Sequence, residues 1–425
     1  MSLILLGIFL ALLLCGAPVA VSLGLSSAIV IVSNNLPVSV LAQRALNALD
    51  SSPLLAVPLF ILAANLLNAM GVTTHLFDLV RLLLGRIRGA VAQVSVLVSL
   101  IFSGISGAAL ADIGALGAVQ IKQMKAQGYR EDFAAGLTIA AATIGPIFPP
   151  SIPIIIYASV ANVSAVKLLV AGIIPALLLT VLLMVQVAIM ARVKGLPRDT
   201  VRPTAKAVVS KFVISFPALM APVLLIGGLL SGYFGPTEVA GVTVAYACLI
   251  GVFIYRTLTL SKMVACLRET VEATANILFI VSAAALFAWV LTLDRVPMIA
   301  SQLLLGLTDD PFLLLLLVNI LLLVVGMVLE SIAAILIIAP IIAPALTMAG
   351  VDPLQLGIVF VLNLMIGLLT PPVGMSLFMV SIVTKIPVPV VIRGVLPFLA
   401  PLLLALIVVS AVPAISTWLP NYLLK

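Results

Sequence analysis

The segments GPIFPP at 145–150 and GLLTPP at 367–372 each place a glycine and two consecutive prolines inside a long apolar stretch. Proline lacks a backbone N–H and its ring clashes with the carbonyl one turn back, so a proline pair interrupts a helix. The preceding glycine lets the backbone leave the helical conformation. Carbonyls released in this way persist in lipid only where protein, water or an ion meets them. We therefore expect two broken helices, each with a binding site at its break.

The composition around these segments is that of a polytopic membrane protein. Of the 425 residues, 64% are hydrophobic and 8% are charged, and the mean hydropathy is +1.39. A soluble domain of this composition would not stay dispersed. Transmembrane β-barrels alternate apolar and polar residues and do not become this apolar. The predicted fold class is therefore all-α and polytopic, with the lipid bilayer as a partner.

The charged and reactive residues exclude several functions. The 21 Lys and Arg residues form short clusters between apolar stretches, a pattern typical of membrane orientation rather than of nucleic-acid binding. Three scattered cysteines and the single His75 indicate neither a disulfide framework nor a histidine-ligated metal site. The chain has no GxxxxGK[ST] motif, no TVGYG-like filter and no hydrolase triad. We predict no nucleic-acid partner and no enzymatic activity.

The two proline pairs belong to an internal repeat with an offset of 222 residues. Matches at many positions in one ungapped register are typical of two copies of a structural unit. The predicted division is a first repeat at 1–190, a cytoplasmic basic loop with a linking helix at 191–235, and a second repeat at 236–425. The matching positions are Gly104 and Gly326, Gly128 and Gly350, Gly145 and Gly367, Ser159 and Ser381, Gly172 and Gly394, and Pro175 and Pro397.

The charges predict opposite membrane orientations for the two repeats. Residues 89–121 contain no Lys or Arg, yet basic residues flank them on both sides, which predicts a hairpin that enters from the cytoplasm and returns, with SGISG (103–107) at its tip. Residues 311–347 are flanked by acidic residues, so the second hairpin faces the periplasm. The flanking residues are Arg81, Arg86, Arg88, Lys122, Lys125 and Arg130 for the first hairpin, and Asp309, Asp310 and Asp352 for the second.

The remaining elements follow from this inverted plan. The broken helices are expected at about 133–162 and 354–384. The first apolar stretch, Leu3 to Val32, predicts one retained helix, because it is too long for a signal-peptide core and lacks a basic start. We expect the amino terminus in the cytoplasm and the carboxyl terminus, Lys425, in the periplasm.

The two breaks and hairpin tips are the candidate binding sites. Unwound carbonyls together with Ser or Thr hydroxyls form an oxygen cage suited to a hard cation such as Na⁺, and a helix amino terminus attracts an anion. Asp112 and Glu330 place carboxylates near the tips, which is costly in a membrane unless they are paired, protonated or facing water. Each is either a substrate-pathway group or a structural hydrogen-bond partner. For the substrate pathway we predict Asp112, Ser151, Gly104 and Gly107.

At these residues the chain resembles the large membrane (M) subunit of TRAP transporters, and the resemblance covers nearly the whole chain. It implies Na⁺-coupled uptake of an organic acid anion by an elevator mechanism in the bacterial inner membrane. It also implies a periplasmic substrate-binding protein and a small four-helix membrane subunit, expected here as a separate chain. The resembling segments are CGAPVAVSLGL near the start, VPLFILAANLL (57–67), SGISGAALADIGALGAVQIKQMKAQGY (103–129), GPIFPPSIPIIIY (145–157), GPTEVAG (235–241) and GLLTPPVGM (367–375).

The resemblance also implies the positions of two sodium sites, most of whose residues would act through backbone carbonyls. Family substrates include sialic acid, other sugar acids and C4-dicarboxylates, and the hairpin tip here is more similar to the sugar-acid members. The alternatives are a divalent-anion/sodium symporter that works without a binding protein, and, in another class, a channel or an intramembrane enzyme. The implied sodium-site residues are Ser103, Ser106, Gly145, Phe148 and Pro150 in the first half and Gly326, Gly367, Thr370 and Met375 in the second.

Overall fold

The computed structural model describes residues 1–84, 87–198, 204–308 and 310–424, and every regular element in these ranges is helical. Seven of the described helices are long and apolar enough to cross a membrane. The predicted all-α membrane fold is therefore confirmed. Arg86, Asp309, Lys425 and part of the basic loop, on which the orientation argument partly rests, lie outside the described residues.

The first half begins with two helices instead of the single helix predicted for Leu3 to Val32, so that prediction was wrong. The chain turns at Gly16, which has a φ of +84°, and Pro18 precedes the next helix. A left-handed glycine followed by proline ends a helix regardless of how apolar the sequence is. The described helices are α1 (Ser2–Leu14), α2 (Val19–Ser33), α3 (Ser39–Leu49), α4 (Ala56–Ala69), α5 (Val72–Leu84), α6 (Ala90–Ser106), α7 (Ala109–Asp112), α8 (Ala118–Ala126), α9 (Glu131–Ala142), α10 (Ile152–Ala161), α11 (Ala165–Ala171) and α12 (Ile173–Val193).

The second half starts with a long linking helix and contains the second hairpin and the second broken helix. Its longest helix has 34 residues and packs on α2, α3 and α4 of the first half. The described helices are α13 (Ala205–Leu230), α14 (Pro236–Leu249), α15 (Leu260–Leu293), α16 (Val296–Leu305), α17 (Pro311–Gly326), α18 (Ser331–Met348), α19 (Pro353–Gly367), α20 (Met375–Thr384), α21 (Val388–Ala411) and α22 (Ala414–Leu423).

Helices occupy the segments predicted as hairpins and broken helices. In the first hairpin, α6 ends at Gly107, whose φ is +66°, and the chain returns through α7, a π-helical turn at Ile113–Gly117 and α8. In the second hairpin, α17 is followed by α18. The interruptions lie between α9 and α10 and between α19 and α20, and each contains a cis proline pair, Pro149-Pro150 and Pro371-Pro372.

The packing brings both breaks against hairpin tips. Each hairpin contacts the broken helix of its own half. In the first half, α6 and α8 contact α9, and in the second half, α17 and α18 contact α19. The helices that follow the breaks contact the hairpin of the opposite half: α10 contacts α18 of the second hairpin, and α20 contacts the π-helical turn of the first hairpin. Where α9 meets α21, a Cβ added to Gly136 would lie 2.0 Å from the carbonyl oxygen of Gly394. Only glycine permits this approach, so the two halves interlock through backbone contact.

Candidate functional site

The first break is closed by its own backbone and by Ser151. The N–H groups of Ile147 and Phe148 both donate to the carbonyl of Ile144, at 3.1 and 3.0 Å. Ser151 caps α10, because its Oγ accepts the N–H of Ile154 at 3.1 Å and donates to the carbonyl of Pro146. Ser151 is fully buried. This predicted substrate-pathway residue therefore sets the start of α10, whose amino terminus faces the break.

Asp112 lies directly beside the first break. Its Oδ1 accepts a hydrogen bond from the hydroxyl of Ser106, and its buried Oδ2 has no hydrogen-bond partner in the described part of the chain. A Cβ added to Gly145 would lie 2.3 Å from Oδ2, so glycine leaves the space that this oxygen occupies. The fold thus brings Ser106 and Gly145, both implied for a sodium site, into contact with a carboxylate that we predicted for the substrate pathway.

The tip of the first hairpin touches the break through backbone atoms. The N–H of Ile152 donates to the carbonyl of Gly107 at 3.2 Å, and a Cβ added to Gly107 would lie 2.1 Å from the carbonyl oxygen of Pro150. One turn earlier, a Cβ added to Gly104 would lie 3.4 Å from the Phe148 ring. Gly104, Gly107, Phe148 and Pro150 are therefore one contiguous contact between tip and break.

Ser103 lies near this contact, but its hydroxyl already donates a hydrogen bond within its own helix. Its side chain is fully buried, and its hydroxyl donates to the carbonyl of Ser99 at 2.6 Å. A hydroxyl that donates one hydrogen bond still has lone pairs to offer a cation. The geometry is therefore compatible with the implied ligand role of Ser103 and does not require it.

The second break repeats the backbone contact. The N–H of Gly374 donates to the carbonyl of Met327, at the second hairpin tip, at 3.1 Å. Gly374 and Ile152 are separated by the repeat offset of 222 residues. Gly326 and Gly367 also touch, since a Cβ added to Gly367 would lie 2.6 Å from the Cα of Gly326. Both breaks are therefore tied to their tips by an equivalent N–H group.

The two side chains implied at the second break are less buried. The hydroxyl of Thr370 donates to the carbonyl of Ile366 at 2.7 Å, one turn back. Its lone pairs remain available, so it has a structural bond and can also act as a ligand. Met375 begins α20 and is half-buried against the core. Ser103 and Ser106 align with Val325 and Val328 in the repeat, so the second break has fewer hydroxyls.

The sequence left the role of Glu330 open between the substrate pathway and a structural hydrogen-bond partner. The structure gives it the structural role. Its Oε2 accepts the N–H groups of Ile332 and Ala333, at 2.9 and 3.2 Å, and its Oε1 accepts the hydroxyl of Ser331 at 3.0 Å. These bonds satisfy the free donors at the start of α18. Glu330 is thus a helix cap, whereas Asp112 keeps an unsatisfied oxygen.

The residues at the first break fit a small hard cation. Such ions take carboxylate, carbonyl and hydroxyl oxygens as ligands, and Asp112 Oδ2 is a buried carboxyl oxygen without a hydrogen-bond partner among the described residues. Within the described residues, no group of three or more His, Cys, Asp or Glu side chains could hold a metal ion. A cation at this break would therefore be held by Asp112 together with neutral oxygens.

Comparison with known sequences places the chain in a family. The family described as the tripartite ATP-independent periplasmic transporter, DctM component, matches residues 6–415. The chain belongs to this family. The resemblance stated from the sequence is thereby confirmed, and the chain is the large permease component of a TRAP transporter and not an enzyme.

Relatives with different names are almost equally similar to this TRAP permease. It is 41% identical over 420 residues to the sialic acid TRAP transporter large permease protein SiaM of Vibrio cholerae, covering 98% of this chain and 97% of SiaM. It is 40% identical over 404 residues to the C4-dicarboxylate TRAP transporter large permease protein DctM of Pseudomonas aeruginosa, covering 95% and 94%. Overall identity therefore does not distinguish a sugar acid from a dicarboxylate as the substrate.

A solved structure supports the fold of the TRAP permease. The YdaH transporter of Alcanivorax borkumensis matches with a TM-score of 0.65 at 17% identity, covering 90% of this chain and 88% of that one. At this identity the likeness shows the fold alone. The TRAP permease therefore has a fold that is also found in another membrane transporter.

The side chains at the site are recognisable in the sequence, whereas the backbone groups that they meet are not. The carboxylate and hydroxyls of SGISGAALAD (103–112) were the signal for Asp112 and Ser106. The donors Ile152 and Gly374, by contrast, act through backbone N–H groups, which no side-chain pattern encodes. They were found only from the packed structure.

Proposed function

We propose that this TRAP permease takes up an organic acid anion across the bacterial inner membrane and couples the uptake to inward movement of Na⁺. The observation that carries the proposal is the unpartnered Oδ2 of Asp112 beside the first break. A buried ionised oxygen without a partner is unfavourable, and an adjacent cation offsets that cost. We assign Na⁺ as the ion, because one carboxylate and neutral oxygens supply a single negative charge, which suits a small monovalent cation.

Each residue at the breaks has a part in this proposal. Asp112 holds the ion at the first break, and Ser106 orients the carboxylate by donating to its other oxygen. At the second break, Thr370 and the carbonyls near Gly326 and Gly367 hold a second ion. The amino terminus of α10, capped by Ser151, attracts the substrate carboxylate through the positive end of its dipole.

We propose the partners from the family membership. A periplasmic substrate-binding protein delivers the anion, and a small four-helix membrane subunit completes the complex. The relatives named above, SiaM and DctM, are large permease proteins of TRAP transporters. In the proposed elevator movement, the hairpins and broken helices move together, which is supported by their interlocked packing.

The test is uptake by proteoliposomes that contain the chain with its small subunit and binding protein. Radiolabelled sialic acid and succinate are the two probes. We expect uptake of one of them to require an inward Na⁺ gradient and to stop when choline replaces Na⁺. Uptake driven by a pH gradient without Na⁺ would contradict the coupling. Uptake by the chain alone would instead identify a symporter that is independent of a binding protein.

A further inference from the structure

A cavity of about 810 Å³ lies apart from the breaks, between α3 and α15 on one side and α10 and α18 on the other. Its volume is within the range of about 300–1,000 Å³ that is typical of small-molecule sites. Ser159, which lines the cavity, is eight residues after Ser151, the cap of α10, and this spacing corresponds to about 12 Å along the helix axis. The cavity therefore lies beside the carboxyl-terminal end of α10, the helix that begins at the first break.

The guanidinium group of Arg44 lies in this cavity over the ring of Trp289, with 5.6 Å between Cζ and the ring centroid. In the described part of the chain, no carboxylate lies within ion-pair distance of Arg44. An arginine held against an aromatic face keeps its N–H groups in a plane that matches both oxygens of a carboxylate. The cavity therefore contains an oriented cation without an anionic partner.

The other lining residues restrict what could bind. Among the described residues that line the cavity, Arg44 and Asp50 are the charged ones, and the remaining polar ones are neutral. The neutral groups include Asn47 and Asn162. Ser51 and Ser159, whose hydroxyl oxygens are 2.8 Å apart, link the start of the α3–α4 connection to α10. One guanidinium matches one carboxylate of a ligand, and the charge of Asp50 disfavours a second ligand carboxylate. The amides and hydroxyls of the lining match hydroxyl groups on the ligand.

We propose that this cavity is an anion-binding vestibule in which Arg44 binds the single carboxylate of a hydroxyl-rich monocarboxylic acid, such as a sugar acid, before the acid reaches the break. The direction of movement rests on the proposed function, whereas binding in the cavity does not require Na⁺. The vestibule selects against C4-dicarboxylates, because it offers one cation and one opposing carboxylate. It thus discriminates between two substrate classes that overall sequence identity does not separate.

The test uses tryptophan fluorescence of the full chain in lipid nanodiscs, in Na⁺-free buffer of constant ionic strength. The chain has two tryptophans, Trp289 and the exposed Trp418, so a Trp418→Phe background leaves Trp289 as the only reporter. The probes are sialic acid, gluconate, succinate and the neutral sugar N-acetylmannosamine. We expect sialic acid and gluconate to change the emission at concentrations roughly tenfold or more below those of succinate and the neutral sugar.

Variants of Arg44 decide whether the guanidinium binds the anion. Arg44→Gln should raise the half-saturating concentration of sialic acid by roughly 10- to 100-fold, because a charge-assisted hydrogen-bonded pair is lost. Arg44→Lys keeps the charge but lacks the planar guanidinium. Its half-saturating concentration of sialic acid should lie between those of the parent and of Arg44→Gln. Arg192→Gln, at an exposed arginine outside the cavity, is the matched control and should bind as the parent does.

The outcomes separate this proposal from the proposed function. A parental response in both Arg44 variants, with melting temperatures near the parent, would overturn the vestibule even if Na⁺-driven uptake is found. Equal affinity for succinate and sialic acid would overturn the assigned class of ligand. If Arg44→Gln fails to fold, Arg44→Lys decides, since a parental affinity there would show that the planar guanidinium is not required.

Discussion

An oxygen of Asp112 occupies the space that any side chain at Gly145 would need, since a Cβ there would lie 2.3 Å from Oδ2. The two residues come from different elements, the first hairpin and the first helix break. Their contact joins a buried, unpartnered carboxylate oxygen to an unwound backbone. A cation site at this position would therefore need both the charge of Asp112 and the absence of a side chain at Gly145.

Asp112→Asn tests the charge. The amide keeps the shape of the side chain and can still accept from Ser106, so the fold should be retained. Because the amide carries no charge to bury, the melting temperature should stay unchanged or rise. The Na⁺ concentration for half-maximal uptake should rise by about tenfold or more, as expected for the loss of a charged ligand. Asp352→Asn, at a carboxylate that caps α19, is the matched control. A parental Na⁺ curve for Asp112→Asn would exclude Asp112 as a ligand.

Gly145→Ala tests the space. The added methyl group must displace the Asp112 carboxylate, and overpacking of this kind costs about 1–3 kcal/mol. We expect a lower melting temperature together with a higher Na⁺ requirement. Gly227→Ala, in α13, has no atom within 4 Å of the added Cβ and should behave as the parent does. A destabilised Gly145→Ala protein with an unshifted Na⁺ curve would show that the contact serves packing only.

Thr370→Val tests the second break. The substitution keeps the volume but removes one neutral oxygen ligand, a loss of roughly 1–3 kcal/mol, or about 5- to 150-fold in Na⁺ affinity at that site. Thr384→Val is a close control, because Thr384 makes the same 2.7 Å bond to the carbonyl one turn back, at the far end of α20. Both variants lose that bond, so equal effects on the Na⁺ dependence of uptake would remove Thr370 from the site.

Cysteine labelling tests the inverted arrangement. In a cysteine-free background, Lys122→Cys and Asp352→Cys mark the ends of the two hairpins. An impermeant thiol reagent should label them from opposite sides of the membrane, because the flanking charges have opposite character. Labelling of both from one side would contradict the inverted repeat.

The amino terminus provides a second test of orientation. The ammonium group of Met1 lies 3.0 Å from the carboxylate of Asp294, at the end of α15. The opposite end of α15 carries Lys262 and Arg268, which favours the cytoplasm for that end. This contact therefore favours a periplasmic amino terminus, the opposite of the expectation from the sequence. Ser2→Cys should be labelled from the periplasmic side, and labelling only after permeabilisation would restore the original expectation.

The sequence by itself determined the helix breaks, because proline acts on its own backbone and on the turn before it. The first break was expected within 133–162 and lies between Ala142 and Ile152, and the second is placed equally well. The apolar composition likewise required a helical membrane fold. The division of the first apolar stretch at Gly16 was missed, since hydropathy does not report a left-handed glycine.

Only the tertiary structure decided which polar group meets which. Two carboxylates near hairpin tips were equivalent in the sequence, yet Glu330 accepts the N–H groups at the start of its own helix and Asp112 faces a break in another. Arg44 is one of many basic residues until α3 packs on α15 and sets it over Trp289. A hydrogen bond or a stacked pair depends on which helices lie side by side, and that is set by long-range packing through contacts such as Gly136 against Gly394.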